Sequence, residues 1–272
     1  MDYPAQEVSH MRTNTLKQIL KDGDVALGTL VWDARTRGVI HTLADAGMDH
    51  IFICMEHSAY SLETVVDLCA YAHAAEMTPV VRIPDLEYEH VTRLLDSGCQ
   101  SLIAPHVKTS DEVKRFIEMA KYHPTGARGA AIYLGASTGY QDVDTIEAMR
   151  HANANTLLGI IIETKEAVEN LDDILMPGID LVIVGHQDLA QSFGTPGDFS
   201  NPALKHATER VSTLCKERGI ATGGPVAQLN NIEAVINSGV QYLMYGTDLI
   251  LLRREAERAA TALKPLRQRQ RK

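Results

Sequence analysis

The chain has 272 residues, 26 of them Lys or Arg and 35 Asp or Glu, so its formal net charge is −9 and its pI is about 5.6. An acidic chain of this kind lacks the basic face that phosphate binding needs, so no nucleic-acid partner is expected. With 45% hydrophobic and 22% charged residues, and only 19 Gly and 10 Pro, it reads as a folded domain and not as a disordered or collagen-like chain. No apolar run reaches the roughly 18 residues of a membrane helix, so no membrane partner is expected either. The opening MDYPAQEVSHMRTNT has no basic or apolar region of a secretory signal. The four cysteines, Cys54, Cys69, Cys99 and Cys215, show no CxxC spacing, which points to a reducing, cytoplasmic compartment.

Residues 1–24 are expected to form an N-terminal extension and a leading helix. The spacing then predicts a strand over 25–30, a helix over 36–47 with Gly47 near its end, and a strand over 50–55. A helix follows over 61–76; Ser61 opens it, but the third position after it is Thr64, so the capping box is incomplete. Next come a strand over 78–83, a helix over 88–98 stopped by Gly98, a strand over 101–106 and a helix over 110–122 capped by Ser110 or Asp111. Residues 123–141 are rich in Gly and small residues and have no period. A helix is predicted over 143–155, then the nearly all-apolar strand TLLGIIIE over 156–163, a pattern of burial on both faces. The remainder alternates: helix 164–175, strand 180–185, short helix 186–194, helix 203–219, strand 220–225, helix 228–239, strand 242–246 and helix 247–263. The basic tail, 265–272, reads as a frayed, solvated helix end.

Eight short apolar strands, each followed by a helix, demand a parallel sheet. In a chain of this length the expected fold is α/β, a single-domain (β/α)₈ TIM barrel over 25–264. An open doubly wound sheet is the alternative, but the first strand is not followed by GxGxxG and no turn carries a P-loop.

In such a barrel chemistry sits at the C-terminal ends of the strands. Those ends read Trp32-Asp33, Glu56-His57-Ser58, Arg82, His106, Glu163, Gly185-His186-Gln187-Asp188, Gly223-Gly224 and Gly246-Thr247-Asp248. Glu163 and Asp188, at successive strand ends, suit a hard divalent cation. The competing reading is that Asp188 caps the short helix and Glu163 starts the one after it. His57 is placed for a general base, although one His among 11 also fits a structural role. Arg82 needs an anion, either a substrate oxygen or a structural partner such as Asp85 or Glu56. Asp96, near a helix C-terminus, is an anion at the unfavourable end of the dipole and calls for a specific partner or full solvation.

The ordered pieces MEHS, PVVR, LLDSG with PHV, YHPTGARG, IIETKEAVENLDDIL, GIDLVIVGHQDLAQSFG and YGTDLILL resemble the HpcH/HpaI aldolases over about residues 25–255. That family comprises metal-dependent pyruvate aldolases on a (β/α)₈ barrel. The resemblance implies that Glu163 and Asp188 hold a divalent metal (Mg²⁺, Mn²⁺ or Co²⁺). It makes His57 the base, Asp96 the group that raises its basicity, and Arg82 the stabiliser of the enolate oxygen. The backbone around Gln187 and Asp188 would receive the substrate carboxylate, with Gly224 also at the pocket. The reaction implied is cleavage of 4-hydroxy-2-oxo acids to pyruvate and an aldehyde, or the reverse addition. An oxaloacetate decarboxylase-like lyase on the same site and a non-catalytic 2-oxo acid-binding barrel are the alternatives. The partners implied are small-molecule 2-oxo acids and aldehydes, and further copies of the chain in a homo-oligomer, often a hexamer. The apolar run LILL (249–252) would serve that assembly or face its own barrel.

Three positions depart from the family pattern: Cys54 replaces an Asp, Ile161 a Gln, and His186 interrupts the Gly-Pro-(Ala/Ser)-Asp run. These changes make the pocket less polar, which favours small or apolar aldehydes. They also offer His186 as an acid or base on the aldehyde side; the alternative is that it points out of the barrel.

Overall fold

A computed structural model describes residues 11–269, so the expected extension at 1–10 and the last three residues of the tail lie outside the described residues. The elements run α1 (Thr15–Lys21), β1 (Ala26–Val31), α2 (Arg37–Asp45), β2 (His50–Cys54), α3 (Leu62–Ala74), β3 (Thr78–Arg82), α4 (Tyr88–Asp96), β4 (Ser101–Ala104) and α5 (Ser110–Ala120). After a 3₁₀ turn at Ala136–Thr138 come α6 (Thr145–Asn155), β5 (Leu157–Ile162), α7 (Lys165–Glu169), α8 (Leu171–Ile174), β6 (Leu181–Val184) and α9 (His186–Ser192). The chain continues with α10 (Pro202–Arg218), β7 (Ala221–Val226), α11 (Ile232–Asn237), β8 (Tyr242–Thr247) and α12 (Asp248–Arg269). The strands close in chain order into one parallel barrel, with β8 returning to β1, as the eight-unit rhythm required.

Alternation along each strand sorts side chains into two layers. In β5, Leu157 and Ile161 join the barrel interior, while Leu158, Ile160 and Ile162 pack under the helices. All six β5 residues are buried, as an all-apolar strand covered on both faces should be. The leading helix α1 closes the N-terminal mouth: Leu16 and Leu20 join the interior cluster, and Lys17 Nζ reaches Asp180 at 2.9 Å.

Local chemistry adjusts several boundaries. Ser61 caps α3 by accepting from the Thr64 N–H. The cap of α5 is Thr109, one residue before the expected Ser110, because only there does the third following residue, Glu112, complete a capping box. The helix expected over 164–175 breaks at Asn170 into α7 and α8, and the one over 228–239 shrinks to α11, which buries no side chain. The final helix continues through Arg269, past the expected start of the tail.

The lower interior contains a polar stack. The His50 and Tyr242 rings lie 4.2 Å apart and 17° from parallel, and neither His50 nitrogen nor the Tyr242 hydroxyl has a hydrogen-bond partner among the described residues. Glycine makes the room: a Cβ on Gly28 would stand 2.3 Å from the His50 ring, and one on Gly223 would stand 2.0 Å from the Tyr242 carbonyl oxygen. Burial lowers the His50 pKa to about 3, against 6.5 for a free imidazole, with a weaker opposing pull from the Leu243 backbone. The unfolded chain therefore takes this proton near pH 6.5 and the folded chain does not. Stability is fully present above that pH and is lost as pH falls toward 3, by on the order of 4 kcal/mol from this group. Urea midpoints measured from pH 7 to pH 4 should fall distinctly less in His50→Phe or His50→Leu than in wild type. Parallel curves would show that His50 does not drive the acid sensitivity.

Candidate active site at the C-terminal rim

Successive strand ends bring an ionic network to one rim of the barrel. Arg82, the last residue of β3, is mostly buried and sets Nη1 3.0 Å from Glu56 Oε2 while Nη2 donates to Cys54 Sγ at 2.9 Å. Of the two partners considered for Arg82, Glu56 is the one found; Asp85 instead pairs with His90 at 2.6 Å. Among the described residues Arg82 Nε is buried without a hydrogen-bond partner, an unsatisfied donor on a charged group. Glu56 Oε1 lies 2.6 Å from His106 Nε2, and His106 Nδ1 lies 3.1 Å from Glu163 Oε1. His106 has a left-handed backbone (φ 53°), uncommon outside glycine, and its N–H also donates to Glu163 Oε1 at 2.6 Å.

Glu163 follows β5 and is only 2% exposed. Burial pushes its carboxyl pKa up, the His106 N–H and ring pull it down, and the charges of Asp188 and Glu56 push it up again. Gly185 makes this packing possible, because a Cβ there would meet the Glu163 Cβ at 2.7 Å. Neither carboxylate is consumed by helix capping. Thr164 caps α7, accepting from the Ala167 N–H at 3.1 Å, and α9 begins at Gly185 with Asp188 in its first turn. Among the described residues no group of three or more His, Cys, Asp and Glu could by itself hold a metal ion. The Glu163–Asp188 pair does fit a hard cation that also takes oxygens from water and substrate: Glu163 is buried and feels the charge of Asp188, a repulsion that a cation between them would offset.

His57 lies on the same rim, about half exposed, with Nε2 3.9 Å from Glu56 Oε2. Its backbone N–H donates to Cys54 Sγ at 3.2 Å, so the sulfur touches both Arg82 and the His57 main chain. Trp32, after β1, faces His57: the rings are 6.2 Å apart and 22° from parallel, and Trp32 Nε1 donates to the His57 carbonyl at 2.8 Å. Ile161 is buried inside the barrel two residues before Glu163. Gln187 is exposed in the first turn of α9, and Gly224 lies in β7.

Two expected site residues go elsewhere within the chain. Asp96 ends α4 at the N-terminal side of the barrel, where it pairs with the buried Arg128 of the aperiodic segment at 2.5 Å. It thus has the specific partner that its place at a helix C-terminus demanded, and that partner is not His57. His186 lies 3.4 Å from Thr208 Oγ1 of α10 and lines an outer groove of about 740 Å³ with Thr208, Ser212 and Val235. It faces the helix layer, not the Arg82–Glu163 network, so the outward orientation is the one found. Sequence reasoning gave His106 no role and named Glu56 only as a candidate partner of Arg82, not as the link to His106. Their positions at the ends of β2 and β4 were the available signal.

The chain is similar to known proteins over most of its length. Residues 30–254 match the model of the family described as HpcH/HpaI aldolase/citrate lyase. A hydroxypyruvate/pyruvate aldolase of Roseovarius nubinhibens is 30% identical over 245 residues, 90% of this chain and 94% of that protein. A 4-hydroxy-2-oxo-heptane-1,7-dioate aldolase of Escherichia coli is 29% identical, covering 93% of this chain and 98% of that one. The crystal structure of an HpcH/HpaI aldolase from Desulfitobacterium hafniense superposes with a TM-score of 0.85 at 28% identity, over 92% of this chain and 96% of that one. The match spans all eight strand ends on which the Arg82–Glu163 network is built, and the chain belongs to the HpcH/HpaI aldolase/citrate lyase family.

Proposed function

We propose that this protein is a divalent-metal-dependent aldolase that cleaves 4-hydroxy-2-oxo acids to pyruvate and an aldehyde, or joins them in reverse. The observation that carries the reading is the buried, unpartnered Nε of Arg82, on a guanidinium fixed by Glu56 and Cys54 and sharing a rim with Glu163 and Asp188. Glu163 and Asp188 would hold Mg²⁺, Mn²⁺ or Co²⁺, which supplies Lewis acidity toward the oxygens of a 2-oxo acid.

In the cleavage direction His57 takes the proton of the C4 hydroxyl. The C4–O bond becomes the aldehyde carbonyl, the C3–C4 bond breaks, and its electron pair passes into the pyruvate enolate. Arg82 stabilises the enolate oxygen with a preorganised charge and free donor. A proton returned to C3 completes pyruvate. The first-turn N–H groups around Gln187 and Asp188 have no intrahelical partner and would meet the substrate carboxylate.

The test is pyruvate release from a panel of 4-hydroxy-2-oxo acids and from oxaloacetate, with EDTA and after metal is restored. Release from the aldols that EDTA abolishes and metal restores is the expected result. Release from oxaloacetate alone would make the protein a decarboxylase, and no release from any substrate would leave a binding barrel.

A homo-oligomer is part of the proposal, because Leu249 (52%), Ile250 (41%) and Leu252 (68%) on α12 leave apolar surface exposed. Among the described residues no helix is long and apolar enough to cross a membrane. All four cysteines are free and buried, as suits the cytoplasm.

A further inference from the structure

The order of groups around the rim is Glu163 and Asp188 after β5 and in α9, His106 after β4, Arg82 on β3, His57 after β2 and Trp32 after β1. Under the reading above, the 2-oxo acid occupies the Glu163–Arg82 side and His57 handles the hydroxyl on the carbon derived from the aldehyde. The side chain next beyond His57 is therefore placed to meet the substituent of the aldehyde. That side chain is Trp32, 36% exposed.

Three features define what it can recognise. Its indole N–H is already spent on the His57 carbonyl at 2.8 Å, so the ring presents only its apolar face. Its backbone is locked: Asp248 Oδ2 accepts the N–H groups of Trp32, Asp33 and Ala34 at 3.1, 2.9 and 2.7 Å, and the Tyr60 hydroxyl donates to the Ala34 carbonyl at 2.7 Å. A wall held this way is preorganised and loses little freedom on binding. Its charged neighbours are also unfavourable to an anion. Asp33 and Asp248 are acidic, and the nearby cation, Arg35, is turned onto the Tyr60 ring (5.4 Å) and the Ala59 carbonyl (3.3 Å).

We propose that Trp32 is the specificity-determining residue for the aldehyde, and that it selects uncharged acceptors with an apolar, preferably aromatic, substituent over anionic ones. This rests on the aldolase reading of the rim. Hydrophobic and ring-stacking contact with one indole face is sufficient for a roughly tenfold preference.

The test compares benzaldehyde and succinic semialdehyde as acceptors for pyruvate in wild type, Trp32→Ala and Trp32→Phe. Deuterium exchange into the pyruvate methyl group is read in parallel. Wild type should favour benzaldehyde in kcat/KM. Trp32→Ala should lower the benzaldehyde-to-semialdehyde ratio about tenfold or more, mainly through KM, and by more than it slows exchange; Trp32→Phe should retain most of the ratio. Trp32 is the only tryptophan in the chain, so its emission reports binding directly. Benzamide, an unreactive stand-in for benzaldehyde, should change that emission in the metal-loaded wild-type enzyme, whether or not the Ala variant folds. A wild type that prefers succinic semialdehyde, an unchanged ratio in Trp32→Ala, or emission indifferent to benzamide overturns the proposal. Loss of pyruvate exchange in wild type itself overturns the aldolase reading, and benzamide then still decides whether Trp32 forms a binding wall.

Discussion

Glu163→Gln and Asp188→Asn should each lose tight divalent-metal binding and nearly all turnover while keeping the fold. The two carboxylates lie at successive strand ends, and the field of Asp188 is felt at Glu163. Replacing either one halves the negative charge available to a hard cation. Lewis-acid stabilisation of several kcal/mol is at stake, so the fall in kcat should reach on the order of a thousandfold. The fold should tolerate both changes. At 163 an amide oxygen can still accept the His106 N–H, and burial already disfavours the charge there. At 188 the loss is one first-turn anion on a short helix, worth about 0.3–1 kcal/mol. Metal content after gel filtration, pyruvate release and thermal melts check the three claims together. Stoichiometric metal with near wild-type rates in either variant would remove that residue from the site.

Arg82→Lys should cost roughly a hundredfold or more in kcat, the scale seen when one donor to a developing oxyanion is removed. The ammonium keeps the charge but cannot reproduce a planar fork that meets Glu56 with Nη1, Cys54 with Nη2 and an incoming oxygen with Nε. Because the lost interaction belongs to the enolate, exchange of the pyruvate methyl protons with D₂O should slow along with cleavage. The affinity for metal should change far less than in Glu163→Gln, which separates the two roles. Exchange at the wild-type rate in Arg82→Lys would move this residue out of the chemistry.

Much of this molecule is legible in its sequence, because the relevant signals are local. The unbroken apolar run of the β5 segment specifies a strand covered on both faces, Ser61 specifies where α3 begins, and the repeated strand–helix rhythm leaves a closed parallel barrel as the arrangement that buries all eight strands. Placing Glu163, Asp188, Arg82 and His57 at strand ends follows from the same rhythm, since a barrel puts every such end on one rim. Which of those side chains meet depends on strand register, barrel twist and the direction of each first residue after a strand. Those are set by contacts between residues far apart in the chain. The left-handed turn at His106 brings its N–H and ring to Glu163, 57 residues later, and closes the link to Glu56. The same long-range packing sends His186 to Thr208 and the helix layer and pairs Asp96 with Arg128 across the aperiodic segment. Asp248, just after β8, holds the backbone that follows β1, and it thereby sets Trp32 beside His57. The sequence by itself determined the barrel and the set of residues on its rim; only the tertiary structure decided which of them form one network, because those pairings arise from closure of the sheet and not from any local pattern.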